Sequence, residues 1–317
     1  MTNEIILPLF ISFIVTAIIC PLLIPLLHKI KFGQQVRDDG PQTHLKKQGT
    51  PTMGGIAFIM GIMAASLLFA FRYTRMWPVI GMTFWYGAIG FIDDYLKVVR
   101  KNTKGLSAWK KLLMQLVLMA GLCAYMMIFS DTRTVIHVPF FDVNWDLKWF
   151  YPLFTLIVVL GTDNGVNFTD GLDGLCSSVT IVVAIFLAAA SIKLGANITP
   201  VCTAVVGGLL AFLLFNSYPA KVFMGDTGSL ALGGFVASAF IVLGEPLLIL
   251  VVGFIYFAEI MSSVIQVAYF KKTHGKRIFR MAPIHHHFEL CGWSETRIVT
   301  VFTVITVLLA LVGWIGL

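Results

Sequence analysis

Long apolar runs separated by short polar segments make up most of this chain. We interpret ten of the runs as membrane helices, although several are shorter than the roughly 20 residues that a bilayer core about 30 Å thick requires. Their predicted bounds are 5–27, 54–71, 77–92, 112–129, 149–162, 176–192, 198–215, 230–243, 247–270 and 298–316. The pattern predicts an all-α polytopic membrane protein with a single domain over 1–317. The alternating run 135–141 predicts a short outward-facing β-hairpin.

Composition agrees with a membrane protein and excludes two other classes. The chain is 58% apolar and 12% charged, with a mean hydropathy of +0.87. Soluble domains carry about 25% charged residues, and disordered chains are less apolar still. The five cysteines have neither the spacing of a disulfide framework nor that of a zinc site.

The basic residues are unevenly distributed between the predicted loops. The loops after helices one, three, five, seven and nine contain 18 of the 23 Lys and Arg residues. Cytoplasmic loops are enriched in these residues, so we predict that these five loops face the cytoplasm and that both termini face outward. The same loops hold eight of the eleven aspartates and six of the seven histidines. The distribution predicts a polar site on the cytoplasmic face, formed by the five loops.

Two acidic segments are the first candidates for chemistry. Asp93 and Asp94 end the third predicted helix. Adjacent helical residues point about 100° apart, so the two carboxylates should have different roles. Segment 161–174 contains three aspartates, two asparagines and no basic residue. Its glycines favour a loop folded around a polar ligand such as a base or a sugar, although ordinary Asx turns have a similar composition.

Of two glycine-containing segments, one suits the binding of a metal ion and the other the binding of phosphate. Asp226 lies between glycines near the start of a helix, which suits a hard ligand for magnesium. Phe223, just before it, is either a stacking platform or an interfacial aromatic residue. Segment 45–55 combines lysines and hydroxyls with a glycine-rich helix start, which can hold phosphate through charge and free backbone N–H groups. It lacks the spacing of a P-loop.

The last inward loop is basic and leads into three consecutive histidines, 285–287. Neighbouring histidines cannot easily face one ion, so hydrogen bonding or charge pairing to phosphate is favoured over a transition-metal site. The basic residues fit the positive-inside tendency or an attraction for anionic lipid equally well. Glu259, inside the ninth predicted helix, is a functional candidate because of its membrane position, with a structural hydrogen bond as an equal alternative. Gln266 lies about two turns further along.

Five segments closely resemble the phospho-N-acetylmuramoyl-pentapeptide transferase (translocase I) family, in the polyprenyl-phosphate hexose-1-phosphate transferase superfamily. The most discriminating is Ala-Pro-Ile-His-His-His-Phe-Glu, which the N-acetylglucosamine-1-phosphate branch generally lacks. Two departures are Asp163, where a small polar residue such as serine is more usual, and Gly165, where alanine is common. Both are expected to alter the shape near the nucleoside. The five segments span essentially the whole chain, at 49–55, 93–97, 167–174, 220–229 and 282–289.

The resemblance implies a reaction and roles for individual residues. Phospho-N-acetylmuramoyl-pentapeptide passes from its UDP carrier to undecaprenyl phosphate, giving UMP and lipid I for peptidoglycan, with Mg²⁺ as the cofactor. By motif position, Asp226 is a catalytic residue and the metal ligand. Asp93 and Asp94 are the catalytic pair nearest the reacting phosphates, and His285 is the catalytic histidine. We favour Asp93 as the base or acceptor-positioning group, and Phe223 as the partner of uracil. The predicted substrate-binding residues are Lys47, Thr52, Lys97, Asn167, Asp170, Gly171, Asp173, Phe223, Gln266, His286 and His287.

Two other hypotheses fit the residues less well. One is the same chemistry on UDP-N-acetylglucosamine. The other is a transporter or flippase, which should place its acids near the bilayer midplane, where only Glu259 is predicted.

The partners that the resemblance implies are UDP-N-acetylmuramoyl-pentapeptide, undecaprenyl phosphate and membrane lipid. No nucleic acid is expected, and a homodimer is left open. The expected location is the bacterial plasma membrane, with the active site on its cytoplasmic face.

Overall fold

A computed structural model describes residues 2–29, 49–98, 105–130 and 134–317 of the chain. These residues are mostly helical, with one small antiparallel hairpin of strands β1 (Val135–Val138) and β2 (Val143–Asp146). Short 3-10 turns precede α5 and α9. The helices are α1 (Thr2–Lys29), α2 (Gly55–Ala70), α3 (Met76–Val98), α4 (Ala108–Phe129), α5 (Tyr151–Thr169), α6 (Leu175–Leu194), α7 (Thr199–Asn216), α8 (Gly225–Leu243), α9 (Ile249–Val252), α10 (Phe254–Lys272), α11 (Ile284–Leu290) and α12 (Glu295–Ile315).

The predicted class, a polytopic helical membrane protein with a short hairpin, is confirmed. Each of the ten predicted segments overlaps helical structure, and the ninth is broken at Gly253, where the chain bends by 81°. Within the described residues, six helices are long and apolar enough to cross a membrane, or seven if the bent pair is one span. The count of ten spans and the outward position of both termini stay predictions.

Three helix ends differ from the sequence prediction by five residues or more, and all three lie near the acidic motifs. Helix α3 continues to Val98, α5 continues to Thr169, and α8 begins at Gly225. The expectation that 161–174 forms one loop is therefore wrong for its first nine residues. Hydropathy missed these turns because their polar side chains face other helices, whereas it detects only the apolar part of a helix.

The centre of the bundle is the crossing of α3 and α8, the most extensive helix contact in the structure. Helix α8 is buried along almost its whole length, and α2, α4, α5 and α6 pack against one or both helices of the pair. Glycine allows the backbones of the two helices to approach each other closely. A Cβ atom on Gly90 would lie 2.0 Å from the backbone oxygen of Asp226. The end of α3 is therefore held directly against the start of α8.

The hairpin lies at the opposite end of α8. The His137 backbone N–H donates to the Gly244 carbonyl at 3.1 Å, and its ring Nδ1 lies 2.9 Å from Glu245 Oε2. Burial raises the pKa of the Glu245 carboxyl, and the hydrogen bond with His137 opposes that rise. Because Asp226 starts α8 and Gly244 follows its last turn, the hairpin and the aspartates lie at different ends of the bundle.

Replacing Gly90 by alanine should destabilise the protein, because the new methyl group meets backbone atoms that cannot rotate away. We expect a loss of about 1–3 kcal/mol of stability, typical of an overpacked interior. The measurement is the thermal unfolding midpoint of the purified protein in detergent.

Gly81→Ala is the matched control, since Gly81 lies on the same helix and its Cβ would meet nothing within 4 Å. That variant should unfold at or slightly above the wild-type midpoint, because alanine favours the helix. Equal midpoints for both variants would contradict the proposed tightness of the crossing.

Candidate active site

Two aspartates from different helices share one lysine at the end of the α3–α8 crossing. Lys97 Nζ lies 2.7 Å from Asp93 Oδ2 and 2.9 Å from Asp226 Oδ2. Asp93 and Lys97 are one helical turn apart near the end of α3, whereas Asp226 belongs to the first turn of α8. The two carboxylates, predicted separately from their motifs, therefore form one charged centre.

A second lysine, Lys111, completes this centre. It lies in the first turn of α4, and its Nζ is 3.3 Å from Asp226 Oδ2 and 4.0 Å from Asp93 Oδ2. Sequence analysis did not select Lys111. Its only sequence signal was membership of a basic loop, which topology explained without reference to a site.

Asp94 has a different environment from its neighbour Asp93. It is buried, and its Oδ2 accepts hydrogen bonds from the backbone N–H of Thr227 at 2.8 Å and from the Thr227 hydroxyl at 2.7 Å. The backbone N–H of Asp226 donates to Oδ1 at 3.3 Å. Asp94 thus binds the free donors at the start of α8, where a negative charge is favourable. The adjacent acids have different surroundings, as helix geometry predicts.

Asn167 links α5 to the same centre. Its Nδ2 donates to Asp226 Oδ1 at 3.1 Å and to the Ser229 hydroxyl at 2.8 Å. The Asp93 side chain has a comparable support, because the Leu106 backbone N–H donates to its Oδ1 at 2.6 Å. Both carboxylates are therefore oriented by bonds to one oxygen and face the lysines with the other.

The donor set of this centre fits a magnesium ion. Among the residues that the structure describes, no group of three or more His, Cys, Asp or Glu side chains is arranged to hold a metal. Mg²⁺ does not need such a group, because proteins usually bind it with one or two carboxylates while waters and substrate phosphates fill the other positions. Asp93 and Asp226 provide two carboxylates that already share a cation, the Lys97 ammonium.

Backbone pairing brings the segments containing Thr52 and Phe223 to the centre. The Phe223 N–H donates to the Pro51 carbonyl and the Gly54 N–H donates to the Phe223 carbonyl, both at 2.8 Å. Gly225 follows with a φ of +68°, and a Cβ there would lie 2.5 Å from the Thr52 hydroxyl. Thr52 therefore adjoins the start of α8.

Asp173 fixes the loop that precedes Phe223. Its Oδ2 accepts a hydrogen bond from the Ala220 backbone N–H at 2.9 Å, and the side chain is buried. Phe223 itself is half-buried. Asp173 thereby connects the loop after α5 with the loop before α8, which are the two segments predicted to recognise the nucleoside.

His285 forms a buried pair with Glu259. Its Nδ1 lies 2.9 Å from Glu259 Oε2, and both side chains are at most 1% exposed. The ring packs on Gly171, where a Cβ atom would lie 2.1 Å from His285 Nε2. Gly171 is one turn of chain beyond Asn167, so the histidine and the acidic centre lie at the same end of α5.

Gln266 of α10 and the other two histidines form hydrogen bonds that hold the last loop. Gln266 accepts from the backbone N–H groups of Ile278 and Phe279 at 3.1 and 3.0 Å. His287 Nδ1 accepts from the Arg280 N–H at 3.1 Å, and His286 pairs with Glu289 at 2.7 Å.

These contacts shape the loop. The substrate-binding roles of Gln266, His286, His287 and Asp170 stay predictions, as do the roles of the other predicted site residues. Lys47 lies outside the described residues.

Comparisons with known proteins give the family. Residues 76–244, which include α3 to α8, match the family model described as Glycosyl transferase family 4. Residues 47–59 match Phospho-N-acetylmuramoyl-pentapeptide-transferase signature 1. The first match contains both aspartate motifs and the second contains Thr52.

Full-length relatives give the family directly. The phospho-N-acetylmuramoyl-pentapeptide-transferase of Clostridium kluyveri is 47% identical over 317 residues, which cover 97% of each chain. The enzyme of that name from Clostridium perfringens strain 13 is 46% identical over 99% of each chain. That of Clostridium botulinum strain Alaska E43 is 45% identical over 98% of this chain and 95% of its own. With such identity over nearly its whole length, this chain belongs to the phospho-N-acetylmuramoyl-pentapeptide-transferase family.

Proposed function

We propose that this protein transfers phospho-N-acetylmuramoyl-pentapeptide from its UDP carrier to undecaprenyl phosphate, giving lipid I and UMP. A phosphate oxygen of the acceptor attacks the β-phosphorus of the donor, and the bond to the α-phosphate oxygen breaks as UMP leaves. The observation that carries the proposal is the paired Asp93–Asp226 centre with its two lysines, at one end of a helix bundle suited to a membrane. Family membership supplies the identity of the two substrates.

The lysines and carboxylates suit a reaction between two anionic substrates. Asp226 is the residue that would hold Mg²⁺, which neutralises phosphate charge when it is bound. Lys97 is 39% exposed, so its ammonium can approach a diphosphate from the aqueous side. Phosphoryl transfer depends mainly on such positioning and charge stabilisation.

Asp93 is the group we assign to the acceptor. The Leu106 backbone N–H binds one oxygen of the Asp93 carboxylate, and the other oxygen faces the lysines. That second oxygen can orient the acceptor phosphate or take the last proton of the phosphate. Asp94 does not have this freedom, because its oxygens bind the first turn of α8. Its role in the reaction is to hold Asp226 in place.

The remaining predicted residues support recognition of the donor. Phe223 stacks on uracil, while Asp170, Gly171 and Asp173 bind the nucleoside from the loop after α5. His285 approaches the donor from the histidine loop, with Glu259 fixing its ring. We place this end of the bundle at the cytoplasmic face of the bacterial plasma membrane, because the donor is a soluble nucleotide and the adjoining loops are basic.

The direct test is a comparison of donors with the purified protein. In the presence of undecaprenyl phosphate and Mg²⁺, UDP-N-acetylmuramoyl-pentapeptide should release UMP and form lipid I. UDP-N-acetylglucosamine should react at least about tenfold more slowly, since a site built for polar groups discriminates strongly against a donor that lacks them. Preference for UDP-N-acetylglucosamine would mean that the protein has the donor specificity of the other branch of the superfamily. An absence of UMP release at every Mg²⁺ concentration would refute the proposal.

Asp226→Asn should lower the rate at least about 100-fold, because the amide binds Mg²⁺ poorly and a catalytic metal supplies several kcal/mol of charge stabilisation. Thermal unfolding of the variant should stay close to wild type, since the amide keeps the shape of the side chain. Asp142→Asn is the control, because Asp142 is exposed in the hairpin at the other end of the bundle. Normal turnover of the Asp226 variant at low Mg²⁺ would remove Asp226 from the ligand set.

His285→Ala should lower the rate about 100-fold, the usual contribution of a histidine that hydrogen-bonds or transfers a proton at the reacting group. Membrane insertion and purification yield should not change. His274→Ala is the matched control, because His274 lies in the exposed part of the same loop. Wild-type turnover of the His285 variant would show that the histidine is structural.

A further inference from the structure

Asp163 is a fully buried carboxyl that the proposed reaction does not use. It lies in α5, one turn before Asn167, and not on a loop near the nucleoside as the sequence suggested. Its Oδ2 accepts a hydrogen bond from Gln115 Nε2 at 2.5 Å. Its Oδ1 has no hydrogen-bond partner in the part of the chain that the structure describes. Leaving a buried polar oxygen unpaired is costly, so this oxygen requires an explanation.

The surroundings of that oxygen are shaped to accommodate it. A Cβ atom on Gly233 of α8 would lie 2.4 Å from Asp163 Oδ1. Only glycine therefore leaves room for the carboxyl between α5 and α8. The oxygen is enclosed by helix backbone on the α8 side, and the polar approach to the carboxyl is from α4.

The polar residues of α4 and α5 form two levels. On the upper level, Lys111 and Asn167 both bind Asp226. One helical turn deeper, about 5.4 Å along each axis, Gln115 binds Asp163. Lys111 is also close enough to Asp163 to interact with it electrostatically. Its ammonium, on a flexible four-carbon stem, therefore lies between two carboxyl groups, that of Asp226 above it and that of Asp163 below it.

Several cations compete for the carboxylate of Asp226. Lys97 and Lys111 both lie within 3.3 Å of the same Asp226 oxygen. A divalent cation on that carboxylate would repel both ammonium groups, because like charges a few ångströms apart interact strongly outside bulk water. Lys97 is 39% exposed and can turn to water or to a substrate phosphate, whereas Lys111 is only 21% exposed.

We propose that Asp163 is a positioning residue that receives the Lys111 ammonium when Asp226 binds a divalent cation. The proposal rests on the proposed function, which places Mg²⁺ at Asp226. Lys111 then keeps a counter-charge in both states, and the unpaired oxygen of Asp163 gains its partner in the cation-bound state. A site that must exchange a lysine for a metal ion avoids leaving a buried ammonium unpaired, which is a costly arrangement.

The test measures Mg²⁺ affinity without donor or turnover, from the thermal stabilisation of the purified protein over a range of Mg²⁺ concentrations. Asp163→Asn should raise the half-saturating Mg²⁺ concentration about fivefold or more, within the range of coupling between neighbouring charged groups. Lys111→Met should lower that concentration, because a competing cation is removed. In the Lys111→Met background, Asp163→Asn should have no further effect.

Two results would overturn the proposal. One is an unchanged Mg²⁺ affinity in Asp163→Asn. The other is an equal loss of affinity with and without Lys111, which would mean that Asp163 attracts the metal directly. If the asparagine variant does not fold, Asp163→Ser takes its place in the same cycle.

Two further variants keep the interpretation specific. Thr155→Val changes another buried polar side chain of α5 and should leave Mg²⁺ affinity as in wild type; a similar loss there would make the effect of Asp163 a general packing defect and reject the proposal. Asp226→Asn tests the premise. If Mg²⁺ stabilises that variant as well as wild type, the magnesium site itself is wrong, whereas a failure confined to Asp163→Asn rejects only the inference.

Discussion

The close approach of α3 and α8 determines where every charged group of the site lies. Gly90 lets the end of α3 touch the backbone of Asp226, and Gly234 similarly meets the Met82 carbonyl, 2.7 Å from where its Cβ would be. Asp94 then binds the first N–H groups of α8. Since Asp93 and Lys97 are fixed to the same helix end, the crossing itself sets the distance between the two carboxylates that share Lys97.

Charge balance explains why several acids can lie together at this point. Asp93, Asp94 and Asp226 would repel one another in a partly dry environment, where the effective dielectric constant is low. Lys97 and Lys111 reduce that repulsion, and backbone N–H groups stabilise Asp94. The lysines therefore allow the centre to form before any metal or substrate is present, but they also make cation binding a competition.

Sequence analysis predicted helices and motif residues better than it predicted contacts. Apolar runs located all ten long helical segments of the described residues, because membrane helices are recognisable from composition alone. The ends of α3 and α5 and the start of α8 were misplaced, since the polar turns there face other helices. Asp93 and Asp226 were found from their motifs, whereas Lys111 was not, because its partner is 115 positions away along the chain. The pairing of Asp163 with Gln115, 48 positions apart, has no local sequence signal either.

The two lysines of the centre also bear on how membrane topology is read from sequence. Lys97 and Lys111 contributed to the loop count that oriented the helices, yet in the folded structure both are paired with aspartates. These roles are compatible because they apply at different times. A loop is retained on the cytoplasmic side while its lysines are still unpaired, since acidic residues contribute little to that bias. Once α3, α4 and α8 have packed, the same lysines neutralise the acids. In the topology that we predict, one set of charges therefore serves first for orientation and then for the site.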